Sequence, residues 1–283
     1  MKMRNKTLLF IVTVITLLAF LCSSSNKTPS QIGRFNVEKD LLLVQLDCKT
    51  DVDDLQTAAG LATLMSNSEF SEINFHVVTG AYGIQGGLYL PPNSLLELAF
   101  KNNWTDAHEN FEDAIEQVKV FVKNTLENEG DIWIAEAGQS DFSAALVKTI
   151  QSDLANVNTS KRIHIVQHGR WNEENTSPEN LEFVKKNTDY KKIADGNAVG
   201  NGTPGFRFPK YTQWRNKIKD PKLIEIWQHS IDLCDIYNDK EGRYNNEAIS
   251  KGGLDFSDLV EVCWIFGLED IKDIEHFFDL YSN

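Results

Sequence analysis

The sequence lacks the short motifs that mark several common classes of enzyme site. It contains no GxSxG, no HExxH and no CxxC. The first two absences exclude a nucleophile-elbow hydrolase and a zinc protease helix, and the third excludes a zinc knuckle. The glycine- and asparagine-rich segment 195–205 has no Lys-Ser/Thr and follows no clear strand, so phosphate binding by a P-loop is not expected there.

Cysteine is also scarce, with four residues in 283. Cys22 belongs to the N-terminal segment, which leaves Cys48, Cys234 and Cys263. Three cysteines cannot all pair with one another, and their spacing suggests no disulfide framework. For Cys234 and Cys263 the sequence therefore predicts small, buried apolar side chains.

Positive charge is in deficit, with 28 Lys and Arg against 41 Asp and Glu and a net charge of −13. Nucleic-acid binding depends on neutralising phosphates with Lys and Arg, so no nucleic-acid partner is expected. The negative charge is compatible with a cation site. Solubility alone is the other explanation of the same charge.

No apolar run is long enough for a comfortable membrane span of about 20 residues. The longest, Leu8–Leu21, has 14 residues and follows three basic ones, which is typical of an export signal. Cys22 ends this run as in a bacterial lipoprotein signal, although Leu21 stands where a small residue is expected. We expect an exported, cell-envelope protein that touches the membrane only through a lipid on Cys22, with a secreted or uncleaved form as alternatives.

The sequence predicts one domain that is preceded by an export signal and a tether. Residues 1–22 are assigned to the export signal, the polar segment 23–38 to a tether, and residues 39–283 to a single α/β domain. Four apolar runs predict strands and alternate with helical segments, which indicates βαβ units and a parallel sheet. The predicted fold is a Rossmann-like, open, mostly parallel sheet with helices on both faces. The runs are Leu41–Leu46, Ile73–Val78, Asp131–Ala135 and Arg162–Gln167.

Polar residues follow each predicted strand, at the edge where parallel sheets bind ligands. These polar segments are 47–54, 79–85, 136–141 and 168–172. The first has four carboxylates within eight residues. Clustered carboxylates must be solvated, protonated or neutralised by a cation. Asp53 or Asp54 could instead cap the helix that begins near Leu55.

The first of these segments, LLLVQLDCKTDVDD, resembles the opening of the nucleoside hydrolase superfamily, a strand followed by Asp-x-Asp-Pro-Gly-x-Asp-Asp. Asp47, Asp53 and Asp54 are in register with it, and Asp51 fits the acidic position of a branch described as sugar-binding. The resemblance implies a Ca²⁺ that grips ribose hydroxyls. It implies Asp47 and Asp54 as metal ligands, and Asp47 and Asp53 as catalytic residues that help activate water.

A second segment, WIAEAGQSDFSAAL at 133–146, is similar to the turn from which the family lends a carbonyl to the metal, and Asp141 lies nearest. The chain departs from the family at Lys49, which stands where a metal-binding Asp is expected. The late His-Asp-Pro is absent, and Asp255 is the nearest candidate for its metal ligand. Capping of the helix near Leu259 by Asp255 or Ser257 is the alternative.

The other strand-end residues are candidates for catalysis and substrate binding. His168 is a candidate for acid–base work, with a structural role as the alternative. Side chains that can stack on a base or sugar, or hydrogen-bond its hydroxyls, are candidates for substrate binding. Lys49 is included because its ammonium would take over the electrostatic role of a cation. That set is Lys49, Tyr82, Gln85, Trp171, Asn172, Asn197 and Asn201.

Two functions of different classes follow. The first is hydrolysis of an N-glycosidic bond in a nucleoside or related ribosyl or sugar compound by carboxylate-activated water, with Ca²⁺ as cofactor. The second is a carbohydrate- or nucleoside-binding protein that kept the fold and lost the chemistry, which Lys49 and the missing His-Asp-Pro support. Either way the partner is a small molecule, and a homo-oligomer is left open.

Overall fold

The computed structural model describes residues 30–198 and 200–282. Its centre is a six-stranded sheet in which every pair of neighbouring strands is parallel, in the order β5-β4-β3-β6-β7-β8. This confirms the predicted open, Rossmann-like α/β fold. The elements in chain order are β1 (Gln31–Ile32), β2 (Phe35–Asn36), β3 (Leu41–Leu46), α1 (Asp53–Ser66), β4 (Phe75–Thr79), α2 (Asn93–Phe100), β5 (Trp104–Asp106), α3 (Phe111–Glu127), β6 (Ile132–Glu136), α4 (Asp141–Asp153), α5 (Thr159–Arg162), β7 (Ile163–Gln167), α6 (Arg170–Glu174), α7 (Pro178–Asn187), β8 (Asp189–Lys192), β9 (Arg207–Phe208), α8 (Trp214–Lys217), α9 (Pro221–Tyr237), α10 (Glu247–Ser250), β10 (Leu254–Asp255), a 3₁₀ turn (Ser257–Leu259), α11 (Val260–Phe266) and α12 (Ile274–Tyr281).

Helices cover both faces of the sheet, which explains why the central strand β3 is apolar throughout. All six residues of β3 are buried. Leu42 and Val44 face a core shared with α1, α9 and α11, whereas Leu41 and Leu43 face a second core shared with α3 and α4. A strand buried on both faces has no polar side, so it reads as a continuous hydrophobic run.

Two edge strands were not predicted from the sequence. β5 has the sequence WTD and β8 has DYKK, and neither contains an apolar run. Each strand pairs on one side only, with β4 and β7 respectively. Edge strands are half solvated and tolerate charge, so their sequences lack the hydrophobic signal of the central strands.

The predicted polar tether at 23–38 was wrong in its C-terminal part. Residues 31–36 form the β1–β2 hairpin, and Phe35 is fully buried with its ring edge-on to Phe266 at 5.6 Å. The backbone amide of Arg34 also donates to the carbonyl of Ile265 at 2.8 Å. The domain therefore includes the described chain from residue 30, because the buried Phe35 ties this segment to α11.

The predicted export signal and Cys22 lie outside the described residues. Among the helices of residues 30–198 and 200–282, none is long and apolar enough to cross a membrane. Cys48, Cys234 and Cys263 are all buried and unpaired as thiols. The expectation that Cys234 and Cys263 serve as buried apolar residues is thereby confirmed.

Candidate active site

The strand order places a topological switch point at β3. The chain moves from β3 through β4 to β5, and then returns to the other side of β3 with β6, β7 and β8. The loops after β3 and β6 therefore diverge, which opens a crevice at the carboxyl ends of the strands. Asp47, Gly138 and His168 follow β3, β6 and β7, so all three lie at this one edge.

A cavity of about 400 Å³ opens at this edge. Its lining is dominated by acidic side chains, together with three basic ones, Lys49, Arg170 and Arg207. Nine of the residues predicted from the sequence line this cavity, and they come from the loops after β3, β4, β7 and β8. They are Asp47, Lys49, Asp53, Asp54, Gln85, His168, Trp171, Asn172 and Asn197.

Asp47 is held in the cavity wall by two donors. The backbone amide of Lys49 donates to Oδ1 at 2.7 Å, and Gln139 Nε2 donates to Oδ2 at 2.8 Å. Gln139 is itself fixed, because its Oε1 accepts from the amide of Gly83 at 3.0 Å. Burial raises the pKa of Asp47 to about 7, although the two hydrogen bonds favour the ionised form. A carboxyl group with this pKa is suited to take a proton from water near neutral pH.

The turn after β6 approaches Asp47 closely, and only glycine fits there. A Cβ atom on Gly138 would lie 2.3 Å from the carbonyl oxygen of Ala81 and 3.0 Å from Asp47 Cβ. The backbone carbonyl cannot move aside as a flexible side chain would. Gly138 therefore lets the β6 turn bring Gln139 against Asp47.

We expect Gly138→Ala to destabilise the protein by about 1–3 kcal/mol, because the added methyl group forces the backbone apart. Urea-induced unfolding would measure this loss. Gly86→Ala is the matched control, since nothing lies within 4 Å of a Cβ at that position. Equal stabilities of the two variants would contradict the close approach described here.

Asp53 and Asp54 are the first two residues of α1 and do not cap it by side-chain hydrogen bonds. The capping role considered from the sequence is therefore not observed for either.

Asp54 Oδ2 accepts from the amide of Cys48 at 2.5 Å and closes the loop after β3. Its other oxygen, Oδ1, is buried and has no hydrogen-bond partner in the described residues. A buried carboxylate oxygen without a donor is costly unless a proton or a cation satisfies it.

Six carboxyl groups line the cavity, and five of them form what we call the acidic cluster: Asp47, Asp51, Asp53, Asp54 and Asp258. Burial is the largest cause of a raised pKa in each of them, and mutual repulsion adds to it. The pKa of Asp51 rises to about 6, and those of Asp53, Asp54 and Asp258 rise well above the ordinary range. The cluster cannot be fully ionised at neutral pH without a compensating positive charge.

Lys49 does not supply that compensation by direct contact. Its ammonium lies over the ring of Tyr82, 3.8 Å from the centroid, and it forms no ion pair within 4.0 Å in the described chain. Burial lowers the pKa of Lys49, and the charge of Asp47 opposes this effect. Tyr82 itself lies outside the cavity lining and hydrogen-bonds His108 Nδ1 at 2.7 Å.

Asp255 is fully buried behind the cavity wall, and both of its oxygens are used by protein groups. Ser257 Oγ donates to Oδ1 at 2.7 Å, whereas Asn246 Nδ2 and Arg207 Nε approach Oδ2 at 2.9 and 3.2 Å. The backbone amide of Ser257 also donates to Oδ1 at 3.3 Å. Neither the 3₁₀ turn nor α11 has a side-chain cap, so the capping alternative is not observed for Asp255 or Ser257, and the carboxylate of Asp255 is instead occupied by protein donors.

Two more predicted site residues also lie outside the lining of the cavity. Asp141 accepts from the amide of Ser177 at 3.1 Å and from Asn180 Nδ2 at 2.8 Å, so its carboxylate joins α4 to the start of α7. Asn201 is exposed, and its Nδ2 donates to the carbonyl of Asp195 at 2.6 Å. The alignment of short sequence motifs does not show in which direction these side chains point.

His168 is buried at the cavity edge. Its Nδ1 lies 2.5 Å from Glu261 Oε1, and its Nε2 lies 3.4 Å from Asp258 Oδ1. Burial lowers the pKa of His168, but the neighbouring Glu261 more than offsets this, and the net effect is a raised pKa. The imidazole is therefore held between two carboxyl groups, one of which belongs to the acidic cluster.

The remaining substrate candidates surround the mouth. Trp171 is 62% exposed, which leaves its ring free to stack on a ligand. Asn172 is buried and bridges Gln139 Nε2 and the carbonyl of Ala137 at 3.4 and 3.3 Å. Gln85 donates to the carbonyl of Lys49, and Asn197 accepts from Arg207 at 3.1 Å.

The donors at this site fit a hard cation such as Ca²⁺ in their chemistry. Asp47 and Asp54 both line the cavity, and Asp54 Oδ1 has no hydrogen-bond partner in the described residues. Ca²⁺ takes six to eight oxygen ligands, and water and substrate hydroxyls are among those it accepts. Within residues 30–198 and 200–282, no three His, Cys, Asp or Glu side chains are already arranged to hold a metal. Asp47 and Asp54 would therefore hold a cation with non-protein oxygens.

Sequence reasoning missed Asp258, Glu261, Gln139, Arg207 and Tyr244. Asp258 and Glu261 come from the segment after β10, where the sequence indicated only Asp255 as a candidate ligand before the start of a helix. Gln139 lies inside the polar segment 136–141, which the sequence had already indicated as part of the site, so it was the easiest of the five to predict. Arg207, in the two-residue strand β9, and Tyr244, in a loop, line the cavity from segments with no periodic signal.

Comparison with protein-family models, with curated proteins and with solved structures found no match to this chain. The resemblance to nucleoside hydrolases therefore rests on the two motifs quoted above.

Proposed function

We propose that this protein hydrolyses an N-glycosidic bond in a nucleoside or a related ribosyl or sugar compound. The observation that carries the proposal is Asp47, a cavity-lining carboxyl group with a pKa of about 7 and a fixed orientation. Asp47 would accept a proton from the attacking water as a new bond forms to the anomeric carbon. Asp53, the neighbouring carboxyl group, is the second candidate for this role.

The carboxyl groups of the acidic cluster lie beside Asp47, where they would stabilise positive charge on a bound sugar. Breaking an N-glycosidic bond develops positive charge on the sugar, and nearby carboxylates stabilise an oxocarbenium-like centre. A bound Ca²⁺ would supply orientation of the sugar hydroxyls and Lewis acidity. Trp171 at the mouth offers an aromatic face for the base or sugar, and Asn172 and Asn197 offer polar groups for hydroxyls.

The alternative function is non-catalytic binding of a sugar or nucleoside. Lys49 favours it, because an ammonium that lies over Tyr82 replaces a carboxylate expected of the family. Such a protein would keep the cavity and its cation site without cleaving the ligand. We further propose export, with attachment through Cys22.

Sugar release from a panel of nucleosides distinguishes the two functions. We expect a protein that spans residues 30–283 to release reducing sugar in Ca²⁺ and to lose most of that activity in chelator. Lys49→Asp is expected to make the dependence on Ca²⁺ stronger, because it adds an oxygen ligand at the loop. No release from any nucleoside, together with ligand-induced stabilisation, would identify the protein as a binder.

A further inference from the structure

Glu136, the last residue of β6, is a fully buried carboxyl group that has no part in the chemistry described above. Three neutral donors surround it. Ser143 Oγ donates to Oε1 at 2.6 Å, whereas Ser140 Oγ and Gln167 Nε2 donate to Oε2 at 2.7 and 3.1 Å. Burial raises the pKa of Glu136 to about 7, although these hydrogen bonds favour the ionised form. Because burying a carboxyl group costs free energy that an apolar side chain would not, the three contacts point to a specific role.

The two serines belong to the beginning of α4. Ser140 is the N-cap residue of this helix, but its hydroxyl makes no capping hydrogen bond and donates to Glu136 instead. Ser143 lies in the first turn of the same helix. Glu136 therefore fastens the beginning of α4 to the end of β6, and the turn of residues 137–139 is held between these two points.

Gln167, at the end of β7, fixes the same turn from the neighbouring strand. Its Nε2 lies 3.1 Å from Glu136 Oε2 and 3.3 Å from the carbonyl oxygen of Gly138, and an amide nitrogen has two hydrogens to donate. Its Oε1 accepts from Tyr190 at 3.0 Å, which sets the direction of the amide. Neither Glu136 nor Gln167 lines the cavity, so both act on the turn and not on a ligand.

The turn fixed in this way carries Gln139, which holds the carboxyl group of Asp47. Gln139 is fully buried, and its Nε2 donates to Asp47 Oδ2 at 2.8 Å. Hydrogen bonds weaken steeply when their angle departs from a straight line, so a small movement of the turn is enough to weaken this one. A loosened turn would thus reach Asp47 through the amide of Gln139.

We propose that Glu136 is a positioning residue, which acts on Asp47 through the amide of Gln139. This inference rests on the proposed function, in which Asp47 accepts the proton of the attacking water. Glu136 changes the rate only by fixing the turn after β6, because it has no access to the cavity itself.

A double-mutant cycle separates this role from a purely structural one. Glu136→Met and Gln139→Met each remove a polar group and keep a side chain of similar length. We expect each to reduce kcat for the nucleoside that wild type cleaves fastest by about 10–100-fold, with KM changed by less than about 2-fold, because the base is misplaced and the cavity lining is intact. The double variant should be no slower than the slower single variant, since the two residues act in series. Losses that multiply in the double variant would overturn the proposal.

Two further variants control for size and stability. Glu136→Gln keeps an acceptor oxygen and gains a donor that a serine hydroxyl can accept, so its kcat should stay within about 3-fold of wild type. Val147→Ala removes buried volume from the same helix, α4, without touching the turn. It should lower Tm and leave the kcat of the folded protein unchanged. Equal losses of kcat in Val147→Ala and Glu136→Met at equal Tm would identify the role of Glu136 as structural.

The hydrogen bond to Asp47 can also be followed without activity. In ¹H–¹⁵N NMR of wild type, assigned with Gln139→Met, the side-chain amide of Gln139 should exchange slowly with solvent. We expect this protection to be lost in Glu136→Met and kept in Glu136→Gln, and an unchanged signal in Glu136→Met would overturn the positioning role. If Glu136→Met does not fold, Ser140→Ala provides the same test, because its hydroxyl donates to Glu136. If wild type cleaves no nucleoside but the NMR result holds, the proposed hydrolysis fails and the positioning of Asp47 stands.

Discussion

Replacing Asp47 by Asn should reduce sugar release by about 10²–10⁴-fold, the usual contribution of a general base. Asn is nearly the same size, but it cannot accept a proton from water at neutral pH. It can still accept one of the two hydrogen bonds that hold Asp47, from Lys49 or Gln139. Initial rates of reducing-sugar formation at saturating nucleoside would measure the loss.

Asp53→Asn tests the second candidate base in the same assay. Within the described residues, the carboxylate of Asp53 accepts a single hydrogen bond, from the amide of Asp54 to Oδ1 at 3.1 Å, so the change disturbs little else. Asp270→Asn, at an exposed position, is the control for general charge effects. Unaltered release in both Asp47→Asn and Asp53→Asn would mean that the chemistry lies in another loop.

The second large effect concerns the pH dependence of stability in chelator. The pKa of Asp47 is about 7 in the folded protein and 3.8 in its ordinary state, so the folded chain holds an extra proton between these values. Stability then falls as pH rises from about 4 to about 7. Asp51, with a pKa of about 6, acts in the same direction. At about 1.4 kcal/mol for each pH unit, we expect a loss on the order of 4 kcal/mol from Asp47 alone over this whole range, of which about 2–3 kcal/mol falls between pH 5 and pH 8.

Urea-induced unfolding at pH 5 and pH 8 would show this loss, and Ca²⁺ at pH 8 should recover part of it by binding only the folded state. Asp54→Asn is the informative variant. It removes one charge next to Asp47 and lets an amide donate to that carboxylate, so the chelated protein should be more stable at pH 8 and respond less to Ca²⁺. Calorimetric titration would provide the affinities. No heat and no stabilisation with wild type would contradict the proposed cation site.

These predictions share one physical origin, the concentration of carboxyl groups at the switch point. Asp47, Asp51, Asp53 and Asp54 arrive from one segment, whereas Asp258 arrives from a segment about 200 residues later in the sequence. The five carboxyl groups of the acidic cluster repel one another, which raises each pKa and stores unfavourable free energy in the folded state. A cationic or electron-deficient ligand relieves that repulsion, and this is why the cluster is better explained by function than by stability.

The central strands and main helices were predictable because their apolar residues repeat with a clear period. β3, β6 and β7 were predicted to within one residue at each end. The shared edge of Asp47, Gly138 and His168 follows from parallel topology, so it was also predictable. β5, β8 and the β1–β2 hairpin were missed, since short edge elements contain too few buried residues to produce a pattern.

The sequence by itself determined the α/β class, the parallel sheet and the acidic loop at Asp47–Asp54, because each depends on residues close together in the chain. Only the tertiary structure decided the side-chain directions. It turned Asp141 and Asp255 to protein donors, laid Lys49 over Tyr82, and brought Asp258 and Glu261 to His168. The physical reason is that a carboxylate's partners are set by packing between distant segments, which local periodicity and spacing do not encode.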